Sequence, residues 1–260
     1  MSVTSSDIVV YGSANMQESD SGTQGGTIDT TTRVIFDSST IANDPGPGAI
    51  SVSGFGTADT GNIRVTGRNS AGSIISEDIE LLANKVQKNG NSTFERILKC
   101  VVTSGSPTGT VRVLDTDTNT TLVDIETGVT TVRRPFYNVS AEASGGSSRD
   151  YYEKVFIKNN NATNALLSAQ ISENADPTGY ITFDLDANVD GSTTSTNRRT
   201  APAASGMQGS PTFDSNTKSL NNDTDLDTEE AIGVWLKLTL AAGTAATKST
   251  YTLTVSGSTI

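Results

Sequence analysis

Apolar residues fall on alternate positions near the C-terminal end: Ile232, Val234, Leu236, Leu238 and Leu240 are separated by Gly233, Trp235, Lys237 and Thr239. Tyr251, Leu253 and Val255 repeat the alternation against Thr250, Thr252, Thr254 and Ser256. A period of two belongs to a strand with one face in a core and the other toward solvent or a partner. The small, polar connection Ala241–Ser249 predicts a turn back into an antiparallel neighbour.

The same reading predicts strands at Arg33–Phe36, Ala49–Phe55, Ile63–Thr66, Ile74–Leu82, Phe94–Val102, Thr110–Leu114, Leu122–Ile125 and Val129–Val132. Turn residues separate them, at Asn43–Gly48, Asn69–Gly72, Asn89–Asn91 and Gly105–Pro107. A second block of strands is predicted at Phe136–Ala141, Tyr152–Lys158, Ala165–Ser172, Tyr180–Leu185, Ile232–Leu240 and Thr250–Val255. Arg133-Arg134-Pro135 marks the boundary, because proline cannot donate to a ladder.

The chain therefore reads as all-β, with two antiparallel β-sandwich domains in tandem, immunoglobulin-like or jelly-roll-like. Residues 1–30 form a first strand followed by a polar arm, free or lying on a neighbouring subunit; residues 31–134 form the N-terminal sandwich. Residues 135–260 form the C-terminal sandwich, with a long Ser/Thr/Asn-rich loop over 186–218. Loops of that length inside a compact domain tend to be functional or disordered.

Composition supports many short strands joined by many loops. Hydrophobic residues are only 34% of the 260, and the difference is made up by Thr, Ser, Gly, Asn and Asp. The formal charge of −11 disfavours nucleic acid and anionic membranes as partners. No segment has the apolar length to span a bilayer. Met1–Val10 has neither a basic start nor a long apolar run, so synthesis in a cytoplasm without that route of export is expected.

There is no histidine, which removes the Ser-His-Asp and Cys-His triads and histidine metal sites. The one cysteine, Cys100, shares its parity with Phe94, Leu98 and Val102 and reads as a buried structural thiol. Paired carboxylates for sugar cleavage have few aromatic platforms to work with, since only 5% of the chain is aromatic. No enzymatic activity and no resident cofactor are expected.

Two acidic clusters approach a calcium loop. Asp115, Asp117, Asn119, Thr121, Val123 and Glu126 have EF-hand spacing, but Thr120 stands where glycine is needed. Asp186, Asn188, Asp190 and Gly191 have the glycine, but Asn197 replaces the closing glutamate. Each misses one element, which favours solvated hairpin loops over bound calcium. A third run, Asp223, Asp225, Asp227, Glu229 and Glu230, reads as a solvated loop. Arg133-Arg134 and Arg198-Arg199 are the paired arginines, candidates for anchoring an acidic patch on a neighbouring copy.

Several stretches resemble virion structural proteins of tailed bacteriophages. They are Ser6–Ser13, Val65–Gly72, Thr93–Lys99, Val129–Val139, Tyr152–Phe156 and Gly233–Thr254. These are framework stretches, not catalytic motifs. The resemblance implies a non-enzymatic, multi-copy particle component located in the virion. A capsid decoration or cement protein is the first expectation, binding the major capsid protein across capsomers together with other copies of itself as a homo-oligomer. A tail-associated or receptor-contacting sandwich is the second. A calcium-dependent glycan-binding module is a third, of a different class.

Overall fold

The structure is a computed structural model, and it describes residues 2–16, 19–34, 46, 48–136, 147–220, 224–243 and 250–259. Its strands begin with β1 Ile8–Asn15, β2 Gln24–Val34, β3 Gly48–Gly54, β4 Thr60–Arg68, β5 Ile74–Leu82 and β6 Lys88–Phe94. β7 Arg96–Ser104, β8 Val111–Asp115, β9 Thr121–Ile125, β10 Thr131–Arg133, β11 Arg149–Asn159 and β12 Leu167–Ala175 follow. Then come β13 Ile181–Val189, β14 Thr194–Ser195, β15 Lys218–Ser219, β16 Ala231–Leu240 and β17 Thr252–Ser258. Among the described residues the only helical element is a single 3-10 turn at Ala204–Gly206. The protein is all-β, as its alternation predicts. The strand expected at Phe136–Ala141 lies, beyond Phe136, outside the described residues.

The chain divides into an inserted unit, Thr31–Tyr137, and a split unit made of Met1–Thr30 with Asn138–Ile260. This differs from two blocks laid end to end, because the first thirty residues complete the same unit as the C-terminal half. The expected arm is corrected on the same ground. β1 pairs antiparallel with β11 from Ile8↔Asn159 to Gly12↔Val155, and Gln24 at the start of β2 is buried. The first strand is present as expected but runs on past its apolar residues, since Gly12, Ser13 and Ala14 carry no apolar alternation, yet Ser13 is buried.

In the inserted unit, the C-terminal residues of β2 pair in parallel with β10, followed by β7, β4 and β5, while a second sheet runs β6-β3-β8-β9. Ile50 and Val52 of β3, Ile63 and Val65 of β4, Val113 of β8 and Val123 of β9 share one apolar cluster with Cys100 and Phe94. Inward-facing positions from both sheets form this core, as in a β-sandwich. The predicted run Phe94–Val102 is two strands instead, broken at Glu95, whose N–H bonds back to Arg68. At the sheet edge the Glu77 carboxylate accepts from the Asn91 and Ser92 N–H groups of β6 at 2.7 and 2.8 Å. Edge amides satisfied in this way are poor templates for a further strand.

In the split unit, a sheet in the order β13-β16-β11-β1 continues to the first residues of β2, where β14 also pairs, and a smaller sheet runs β15-β12-β17. β17 therefore does not turn back onto β16 as its connection predicts; its partner is β12, in the other sheet. β16 differs from its sequence pattern too. Ile232 and Val234 are buried, but so are Gly233 and Trp235 between them. The residues expected to face solvent are covered by the segment over 186–218.

Candidate functional site

That covered face holds a buried polar cluster. Register places Lys154 of β11 opposite Trp235 of β16, and Trp235 opposite Asp184 of β13. Tyr152, Lys154 and Phe156 share a face by the period of two, so a lysine is held between two aromatic residues. Trp235 and Tyr152 pack with Met207 and Phe213 of the covering segment, the Tyr152 and Phe213 rings meeting edge-on at 5.3 Å between centroids. Short bridges fix the cover, pairing Asp186 with Met207 and Phe183 with Asp214. The Thr212 N–H donates to Asp184 Oδ2 at 2.7 Å, and Lys218 lies 3.0 Å from Asp214. The long loop of the sequence is thus a lid built onto its own sheet.

Lys154 and Asp186 meet beneath it. Lys154 Nζ is 2.6 Å from Asp186 Oδ2, and both side chains are fully buried. Nζ donates to the carbonyls of Gly26 and Gly191, each at 2.9 Å, and of Thr193 at 3.3 Å. The Trp235 indole N–H donates to Asp186 Oδ1 at 3.1 Å. Phe156 presents its ring 4.5 Å from Nζ. Gly233 makes room for this pair across β16, since a Cβ there would stand 2.4 Å from Asp186 Oδ2 and 2.5 Å from Lys154 Cε.

Burial acts on both partners in the same sense. It lowers the Lys154 pKa below the ordinary lysine value, against the raising effect of Asp186. It raises the Asp186 carboxyl above the aspartate value, against Lys154, Thr193 and Trp235. Removing charge from a dry site is favourable for each. Asp184, the neighbouring acid of β13, is also raised by burial, against hydrogen bonds from Thr212 and Leu185 and the charge of Lys218.

The calcium candidates are distributed differently from a cation cage. Asp115 Oδ1 accepts from the N–H groups of Asp117 and Thr118 at 2.9 and 2.8 Å, closing the β8–β9 turn. Asn119 takes a positive φ of 56° in that turn and its Oδ1 accepts from Gln87. Glu126 is paired with Arg33. In the second cluster Asp186 turns inward to Lys154, whereas Asp190 Oδ1 accepts from the Ala231 N–H at 3.1 Å. Asn188 and Asp190 line a polar cleft of about 510 Å³ with Gly191, Thr193 and Gly206. Among the described residues no group of three or more Asp, Glu or Cys side chains is placed to hold a metal ion.

The remaining acidic run is likewise occupied: Asp225 Oδ1 accepts from Ser168, Glu229 pairs with Lys158, and Glu230 accepts from the Asp227 N–H. Asp223 lies outside the described residues.

One member of each arginine pair, Arg133 and Arg198, is buried, whereas Arg134 and Arg199 are half-buried. β1 leaves the edge of β11 open before Val155, and Arg198-Arg199 fills it. The Arg198 carbonyl accepts from the Tyr152 N–H at 2.8 Å, and Arg199 Nε donates to the Asp150 carbonyl at 2.9 Å. Arg198 also approaches buried Glu153 at 3.8 Å. Arg134 donates its backbone N–H to Leu98, continuing the β10–β7 ladder.

Lys154 and Trp235 were not among the sequence candidates. Their signal was present in Tyr151–Ile157, where a lysine interrupts an apolar strand on the parity of Tyr152 and Phe156. Cys100 is fully buried, and burial pushes its thiol up to about 12, which fits a structural role. Among the described residues no helix is long and apolar enough to cross a membrane. No family model, no curated protein and no solved structure matches the chain.

Proposed function

We propose that this chain is a structural protein of a tailed-bacteriophage particle, one that decorates or cements the head by contacting the major capsid protein and further copies of itself. The observation carrying this reading is where the phage-like stretches fall. They lie on framework strands of both units: β1, β4 with its turn, the β6–β7 junction, β11 and β16. Such a component contributes contact area, and stable contacts bury about 1,200–2,000 Å² in total. Asp115, Glu126, Asp186 and Asp190, which suggested chemistry, are engaged by neighbouring residues of the same unit, which suits a rigid building block better than a site that turns over substrate.

A tail-associated role would present the segment over 186–218 as an exposed loop on a rigid sheet scaffold. Met207, Arg198 and Ser195 of that segment are buried in the split unit, so the feature favouring receptor contact is weakened. Copy number in purified particles tests the proposal. A head decoration protein is present at about hundreds of copies, as its repetition over a symmetric shell demands. A handful of copies would point to a tail tip. Absence from particles would remove a virion role altogether.

A further inference from the structure

We propose that Lys154 and Asp186 are joined by an intramolecular amide bond between Nζ and Cγ, formed within the folded split unit. The reactants are already assembled: Nζ lies 2.6 Å from Oδ2 and neither side chain is exposed. Groups held in this way react as if at effective molarities of about 10⁵–10⁸ M. Dryness supplies the second requirement. In water an amine and an acid stay ionised and hydrolysis competes, whereas here burial favours the neutral forms and excludes solvent.

The step balances without a co-reactant. A proton passes from the Lys154 ammonium to the Asp186 carboxylate, giving amine and acid. The nitrogen lone pair attacks Cγ, and the developing negative charge falls on Oδ1, 3.1 Å from the Trp235 indole nitrogen whose hydrogen it accepts. A donor fixed toward that oxygen is what stabilises a tetrahedral intermediate. The Cγ–Oδ2 bond then breaks. Oδ2 leaves as water, carrying the acid's proton and a second proton from the nitrogen, and the product amide keeps one N–H.

The surroundings are arranged for this product. The carbonyls of Gly26 and Gly191, each 2.9 Å from Nζ, are ready acceptors for the remaining N–H. Gly191 and Thr193 also line the polar cleft, which can take the released water. Amide formation removes a buried charge pair whose desolvation is a standing cost. Gly233 is required by the geometry, because any side chain there would stand between the two partners. The resulting link would tie β11 to β13 across β16, and it does not depend on the virion assignment.

Intact-mass measurement of the wild-type protein tests this directly. The expected mass is that of the sequence less one water, with Lys154→Met and Asp186→Ala each restoring the full value. Asp190-Gly191 can also lose water by cyclising, so the position must be mapped. Tryptic digestion should give a branched peptide, uncut at Lys154 and carrying Asp186. A wild-type mass equal to that of the sequence overturns the proposal, as does a water loss mapped to any other residue. Because the wild-type chain is measured, poor folding of either variant cannot rescue it.

Discussion

Asp59 Oδ1 accepts a hydrogen bond from the Thr108 backbone N–H at 2.7 Å, joining segments 49 residues apart in the chain. The same carboxylate accepts from the N–H groups of Gly56 and Gly109 and from the Thr108 hydroxyl. Asp59 is buried, so it works as a clamp holding the β3–β4 connection against the β7–β8 connection. Replacing it with alanine leaves several donors without an acceptor and should cost about 3 kcal/mol in urea unfolding.

The clamp carries its own pH dependence. Burial alone would raise the Asp59 carboxyl, but the bonds from Thr108, Gly56 and Gly109 outweigh it and hold the pKa below the ordinary value. A depressed folded-state pKa stabilises above the unfolded value, about 3.9, and that stabilisation disappears as pH falls through the folded value. The stability gap between wild type and Asp59→Ala should therefore be full at neutral pH and narrow in strong acid. A gap that widens in acid would contradict the assignment.

Gly25 and Gly179 make a matched pair in the split unit. Both have positive φ, 88° and 65°, but their surroundings differ. A Cβ on Gly25 would come 2.5 Å from the Thr193 carbonyl and 2.7 Å from the Trp235 ring, whereas nothing lies within 4 Å of one on Gly179. Gly179→Ala should cost about 1 kcal/mol, the backbone term alone. Gly25→Ala should cost about 3 kcal/mol, since overpacking is added. Chemical denaturation of the two variants measures the difference.

Cys100 should be silent in the native protein. With its thiol fully buried and pushed up to about 12, it should resist alkylation at mildly alkaline pH and react promptly in denaturant. Cys100→Ser puts a hydroxyl into the apolar cluster of Val65 and Val132 and should cost about 1–3 kcal/mol. Mass-resolved alkylation and a urea melt follow the two outcomes.

EDTA should leave the melting temperature unchanged. Asp115 is occupied by the turn it closes, Glu126 by Arg33, and Asp186 by Lys154 and Trp235. A fall in melting temperature on chelation, reversed by added calcium, would show that these groups rearrange around an ion.

The strands with an apolar stripe were legible in the sequence, among them β3, β5, β9 and β16, because large apolar residues alternate along them even where, as in β3 and β16, the other face is buried too. β6 and most of β2 were not. Lys88–Phe94 and Gln24–Thr32 are polar nearly throughout, and they are held by ladder bonds and neighbouring side chains instead of an apolar face. Pairing was harder still. Nothing in the alternation of Tyr251–Val255 distinguishes β12 from β16 as its partner. The polar cluster was legible only in part: Asp186 was singled out for its spacing to Asn188 and Asp190, but spacing along a loop says nothing of a lysine two strands away. Lid residues such as Met207 and Phe213 stand alone among polar neighbours, so no periodic signal marks them.

The split unit also imposes an order on biosynthesis. β1 emerges from the ribosome well over a hundred residues before its partner β11, and Thr31–Tyr137 is finished in between. At translation speeds of about 5–20 residues per second, β1 waits on the order of ten seconds for a strand to dock against. Its short apolar run, Ile8–Tyr11, suits that interval, because a longer greasy segment left waiting would be a target for chaperones and for self-association.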